Sequence, residues 1–211
     1  MSHIITYISD DYMELESLTV NGWEKHYPVT VVRDFGKDAT FPASNDWREK
    51  TERKIKSILL HYNEMPDTFA WVDADCIIKD RFDECFLSDI TCTRMLNRDN
   101  RSCNDINSGV IFFRKSGRTQ TFLKEWYGLT LALRNSGKHL HEQHAFHQLC
   151  MAGFDRLKPW SVSCVSEYVY NCEHDDNLKW FELINTYKPK IIHMKGQRWQ
   201  KEEIRQRFGL Y

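Results

Sequence analysis

The chain has 211 residues and a formal net charge of -1, with 41% hydrophobic residues, 28% charged residues and an aromatic complement of 7 Trp, 9 Tyr and 12 Phe. That length supports a sizeable core in one large domain, and the composition excludes an extensive disordered tail. The near-zero charge excludes a broad field for nucleic acid or an anionic membrane surface, and no apolar run approaches the roughly 20 residues of a membrane span.

Residues 4–9 are rich in β-formers and stop at Ser9-Asp10-Asp11, which reads as a first strand. Asp10 or Asp11 can cap a helix over 12–20, with Met13, Leu15, Leu18 and Val20 apolar and Asn21-Gly22 as its stop. A second strand follows over 27–32, then a loop at 34–38. Strand, helix, strand is the opening of an α/β domain. The strongest helical signal lies between Ser44 and His61, with Asp46 as cap and Trp47, Ile55, Ile58, Leu59 and Tyr62 at helical spacing. Its other positions are basic (Arg48, Lys50, Arg53, Lys54 and Lys56), and for any one of them a solvated face is the plain expectation.

Residues 63–67 then turn the chain into Phe69-Ala70-Trp71-Val72-Asp73-Ala74-Asp75-Cys76-Ile77-Ile78, an apolar run broken by two carboxylates one residue apart. In a strand, residues i and i+2 share a face. Asp73 and Asp75 are therefore expected to aim the same way beyond the end of a buried strand, where open α/β sheets bind ligands. Two carboxylates that close repel unless one takes a proton or both share a cation, and a divalent metal holding a phosphate meets that need. Two solvated aspartates at a strand exit are the plain alternative, and on this pattern alone the two readings stand even.

Farther on, Phe82, Cys85, Phe86 and Leu87 suggest a short helical turn, residues 97–104 a polar loop, and 105–114 a polar corner, with Asn107-Ser108-Gly109, running into another buried strand. Residues 119–134 read as a helix with Phe122, Leu123, Trp126, Leu129 and Leu133 inward, and 142–151 as a second helix entered through His139-Leu140-His141. A late strand or strand pair is expected over 158–160 and 162–170, a polar loop over 171–176, a last strand over 189–194 and a polar closing helix over 201–208. Residues 178–184 are ambiguous. The seven cysteines form no Cys-x-x-Cys pair and are odd in number, which points to free thiols in a reducing compartment and away from a disulfide framework or a zinc site. The start has no basic region followed by a long apolar stretch, so a cytoplasmic protein is expected, whose 211 residues could also be one module of a longer polypeptide.

Four pieces stand in order: Trp71-Val72-Asp73-Ala74-Asp75, Asn107-Ser108-Gly109-Val110, Glu142-Gln143, and Ile192-His193-Met194-Lys195-Gly196-Gln197-Arg198-Trp199. Together they resemble the nucleotide-sugar glycosyltransferases of the GT-A fold, above all the retaining glycogenin-like and lipopolysaccharide-galactosyltransferase-like families. The resemblance spans nearly the whole chain, and the small size is similar to bacterial or large-virus versions, including chlorella-virus-encoded ones. It implies an α/β, Rossmann-like single domain over 1–211 with a mixed, mostly parallel central sheet flanked by helices. It further implies metal-dependent transfer of a hexose or deoxyhexose from a UDP-sugar to a glycan or glycoprotein hydroxyl, with retention.

By the same resemblance, Asp73, Asp75 and His193 hold Mn²⁺ or Mg²⁺, with Asp73 and Ala74 also against the donor. Adding an imidazole to carboxylates favours Mn²⁺. Gly196 would let backbone approach the diphosphate, and Lys195 or Arg198 offers it a cation; the chain lacks the proline that the family places before Trp199. Lys54, or else Arg53, would contact phosphate or sugar, and Thr6, Tyr7 and Ser9 occupy the place where relatives hold uracil and ribose. Asn107 and the pair Glu142-Gln143 lie where relatives contact the transferring sugar, with Glu in place of the family's Asp. Two other classes compete: a haloacid-dehalogenase-like phosphohydrolase using Asp73 and Asp75, for which Asp175-Asp176 would supply the distal pair, and a non-catalytic carbohydrate-binding module with aromatic platforms.

Overall fold

The computed structural model describes residues 1–44, 46–94, 106–136, 142–173, 184–194 and 200–209. A six-stranded sheet runs through the middle in the order β2-β1-β3-β6-β5-β7, built from β1 (His3–Ile8), β2 (Val29–Arg33), β3 (Thr68–Val72), β5 (Ile90–Arg94), β6 (Ile106–Arg114) and β7 (Val162–Ser166). The ladders β1·β2, β1·β3 and β5·β7 are parallel, and β6 runs antiparallel to both β3 and β5. A small second sheet, β4 (Cys76–Ile78), β9 (Ile191–His193) and β8 (Cys172–Glu173), packs beside it. This is the mixed, mostly parallel sheet expected of a GT-A glycosyltransferase.

The period-two alternation of the strands builds two cores. Phe69 and Trp71 of β3, with Ile111 and Phe113 of β6, face one side, against Ile55 and Ile58 of α2 (Trp47–His61), Phe122 and Trp126 of α3 (Gly117–Asn135) and Phe146 of α4 (Glu142–Phe154). Ala70, Val72, Val110 and Phe112 face the other side, against Phe82, Phe86 and the small sheet. Phe69 stacks on Phe113 with ring centroids 5.0 Å apart. Asp46 caps α2 as expected, its carboxylate accepting from Arg48 N at 2.9 Å.

Local readings fail in five places. Asn21-Gly22 does not stop the first helical segment: a π-helical stretch, Glu16–Val20, runs on into α1 (Asn21–Trp23). Packing overrides the stop signal there, because Trp23 is buried and its indole N–H donates to Cys76 O at 3.1 Å. The strand expected through 162–170 ends at Ser166 and becomes the short helix α5 (Glu167–Tyr170), with Glu167 buried. The polar loop expected at 171–176 begins with a strand, β8, and residues 90–94, read as no element, form β5 in the main sheet. Trp47, expected inward, is 59% exposed. The closing helix, α6 (Glu202–Phe208), ends at Gly209 with φ of 65°, a left-handed cap suited to glycine.

Candidate functional site

A cavity of about 430 Å³ opens at the C-terminal ends of the parallel strands β1 and β3, between α2 and the start of α4. That is the crevice an open α/β sheet offers to ligands. Of the residues singled out in the sequence, Tyr7, Ser9, Lys54, Asp73, Ala74, Asp75, Asn107, Glu142, Gln143 and His193 line it. Thr6 does not: its side chain is fully buried on the opposite parity of β1. Lys195, Gly196 and Arg198 lie outside the described residues, as do Asp175 and Asp176.

The two aspartates do not aim the same way. Strand β3 ends at Val72, and Cys76 N donates to Asp73 O at 3.0 Å, which closes a tight turn and breaks the alternation that the sequence argument assumed. Asp73 turns towards α2, with Lys54 Nζ 3.1 Å from Oδ1 and the Trp71 indole N–H donating to Oδ1 at 2.6 Å. Asp75 turns towards β9, with Oδ1 3.1 Å from His193 Nε2. Met194 N donates to Asp75 O at 2.9 Å, which fixes the turn against the strand that carries the histidine.

Lys54 joins this turn to α4. Its ammonium lies 3.2 Å from Glu142 Oε1 and donates to Ser108 O at 2.9 Å, while Ser108 Oγ donates to Glu142 Oε1 at 3.2 Å. Trp126 of α3 donates to Glu142 O at 2.8 Å and anchors the first turn of α4. Burial works against the charge on Lys54, but the carboxylates of Asp73 and Glu142 outweigh it and raise its pKa. The two aspartates are pushed apart. Burial raises Asp73 despite Lys54 and His193, whereas at Asp75 the charge and hydrogen bond of His193 overcome burial and lower it.

A second network, not foreseen from the sequence, holds Tyr7. Its hydroxyl donates to Asp34 Oδ2 at 2.6 Å and accepts from Arg53 Nη1 at 2.9 Å. Arg53 in turn pairs with Asp34, both side chains buried, and Asp34 Oδ1 accepts from Asp10 N at 2.9 Å. Burial, and then the Asp34 hydrogen bond, push the Tyr7 phenol well above its ordinary range. Arg53, weighed in the sequence as a phosphate contact, is therefore spent inside the protein. Asp34 gave no sequence signal beyond a polar loop. Cys76 is likewise new: its sulfur and the donor atoms of Asp75 and His193 lie within 4.8 Å of one another.

The donor set fits a hard divalent cation that tolerates nitrogen. A carboxylate and an imidazole converge at 3.1 Å, and a second carboxylate lines the same cavity. Among the described residues, no helix is long and apolar enough to cross a membrane.

Comparisons with known proteins bear on the family and the fold. The family model for nucleotide-diphospho-sugar transferases matches residues 88–208, the part of the chain that supplies Asn107, Glu142, Gln143 and His193. No curated protein matches the chain in sequence. Among solved structures, the chain is similar to the crystal structure of a glycosyltransferase involved in the glycosylation of the major capsid of PBCV-1, with a TM-score of 0.63 and 16% sequence identity, covering 96% of this chain and 97% of that one. At that identity, the likeness is one of fold.

Proposed function

From the nucleotide-diphospho-sugar transferase family, to which this chain belongs, we propose that it moves a hexose or deoxyhexose from a UDP-sugar to a hydroxyl of a glycan or glycoprotein, with metal dependence and retention. The observation that carries this reading is the meeting of Asp75 with His193 and of Asp73 with Lys54 and Glu142 around one cavity at the β1 and β3 ends. Membership of a nucleotide-diphospho-sugar transferase family supports transfer over the phosphohydrolase and the non-catalytic module. Retention rests on the resemblance alone. The reading takes residues 1–211 as one domain in a reducing, cytoplasmic setting, host cytoplasm if the chain is viral; the free thiols among the described cysteines support it.

Asp75 and His193, with Asp73, would hold Mn²⁺ or Mg²⁺, which when bound stabilises negative charge on a departing diphosphate without proton transfer. The protein's own groups do the rest. Tyr7, locked by Asp34 and Arg53, and Ser9 offer a fixed wall for the nucleoside. Ala74, between the two aspartates, leaves room for the donor to lie along the turn. Lys195, Gly196 and Arg198 are assigned to the diphosphate. Glu142, held by Lys54 and Ser108, orients sugar hydroxyls and stabilises positive charge developing at the anomeric carbon. Gln143 beside it, and Asn107, whose Oδ1 accepts from Gly109 N at 2.6 Å, complete the sugar's surroundings.

The test is release of UDP from UDP-glucose and UDP-galactose, with Mn²⁺ and with EDTA, and GDP-mannose beside them. Release from a UDP-sugar that EDTA abolishes is expected. Turnover of GDP-mannose alone, or turnover indifferent to EDTA, would overturn the donor or the metal.

A further inference from the structure

Resting on that reading of the site as metal-dependent, we propose that Asn171 is the positioning residue for His193, working against a floor left open by Gly109. Asn171 stands immediately before β8, which pairs in parallel with β9 so that Cys172 faces Ile192 and Glu173 faces His193. Its side chain is fully buried, with Oδ1 2.9 Å from His193 Nδ1. The other end of the amide donates to Thr93 Oγ1 of β5 at 3.1 Å. The chain Thr93, Asn171, His193 thus ties the small sheet, which carries the imidazole, to the main sheet.

The two ring nitrogens have different work. A carbonyl oxygen beside Nδ1 accepts its N–H, which keeps the proton there and leaves Nε2 as the nitrogen facing Asp75 and the cavity. The space beside Cε1 and Nδ1 of the ring is left open by Gly109. A Cβ on Gly109 would lie 2.5 Å from His193 Cε1 and 2.9 Å from Nδ1, closer than such contacts allow. Glycine at 109 admits the ring, and Asn171 sets which way it turns. An amide does this without adding charge to a cavity already lined by Asp73, Asp75 and Glu142.

The experiment titrates Mn²⁺ alone into the full chain, follows free Mn²⁺ by electron paramagnetic resonance, and reads directly bound ¹⁴N by pulsed methods. Wild type is expected to bind Mn²⁺ with a nitrogen coupling. Asn171→Leu, similar in shape but without an acceptor, should weaken binding about 10- to 100-fold and lose the coupling. Asn171→Asp, which keeps an acceptor, should retain both. Gly109→Ala should lose the coupling, because the ring is displaced. If Asn171→Leu does not fold, by near-ultraviolet circular dichroism, Thr93→Val unfastens the far end of the amide and should weaken binding in the same direction. Unchanged affinity and coupling in the folded Leu or Val variant would overturn the positioning role and leave metal dependence standing. Wild type that binds no Mn²⁺ would overturn both.

Discussion

Lys54 is the side chain on which most of the site depends. It sits nearly out of water between Asp73 and Glu142, so its removal leaves two crowded carboxylates without their cation. Breaking a buried ion pair by deleting one partner costs about 3 kcal/mol or more. Lys54→Met is accordingly expected to lower stability by about that amount in urea unfolding, and a loss below about 0.5 kcal/mol, the size of an exposed-pair effect, would contradict the buried bridge. Glu142→Gln separates holding from chemistry: UDP binding should persist while turnover falls about 100-fold or more. Equal loss of binding and turnover would make Glu142 a binding residue only. At this scale the sequence was most informative where residue type and chemistry coincide, as with Asp75 and His193. Asp34 and Cys76 were hidden because their importance comes from neighbours 19 and 117 positions away, Arg53 and His193, which no local pattern displays.

Elements hold these side chains by close contacts that can be tested one at a time. Helix α4, which carries Glu142 and Gln143, passes so near β7 that a Cβ on Gly153 would lie 2.5 Å from Val162 Cγ2 and 2.9 Å from the Trp160 indole nitrogen. Alanine is the better helix former by roughly 1 kcal/mol, yet Gly153→Ala is expected to destabilise by about 1–3 kcal/mol through overpacking. A rise in thermal midpoint would contradict that. Asp89, just before β5, joins three elements, accepting from Ser161 N at 2.9 Å, Ser161 Oγ at 2.8 Å and Ser116 Oγ at 2.9 Å. Burial raises its pKa, but these bonds together with Arg118 outweigh burial and hold the carboxyl below its ordinary 3.8. Its contribution is therefore complete above that value and is lost as the pH falls from there through the lowered folded value. Asp89→Asn should flatten the acid limb of the stability profile below about pH 4; an unchanged limb would mean that the carboxylate does not hold the corner. Long amphipathic helices such as α2 and α3 were readable from periodicity. In β5 the alternation of Ile90 and Cys92 with threonines has the period of a strand but lasts only four residues, the lower limit of a readable run, and β8 is too short to show any period; β9 was legible from its apolar run after Pro189, although only three residues of it pair.

Across the whole molecule, the order strand, helix, strand and the Asp-x-Asp turn were enough to place the cavity at the sheet's C-terminal edge, because α/β architecture puts ligands there whatever the chemistry. The division into two sheets was not visible in the sequence. The apolar run on both sides of Asp73 and Asp75 looks continuous, whereas the tight turn between them sends β3 into the main sheet and β4 into the small one. That turn is what lets one cavity receive Lys54 and Glu142 from one side and His193 from the other. The central claim is that this arrangement binds a sugar nucleotide through a cation, and titration calorimetry of UDP with Mn²⁺ and with EDTA, on wild type and Asp75→Asn, tests it most directly. UDP should bind wild type only with Mn²⁺, and Asp75→Asn should bind it no better with the metal than without. UDP binding that is the same with EDTA, or that survives intact in Asp75→Asn, would contradict the account.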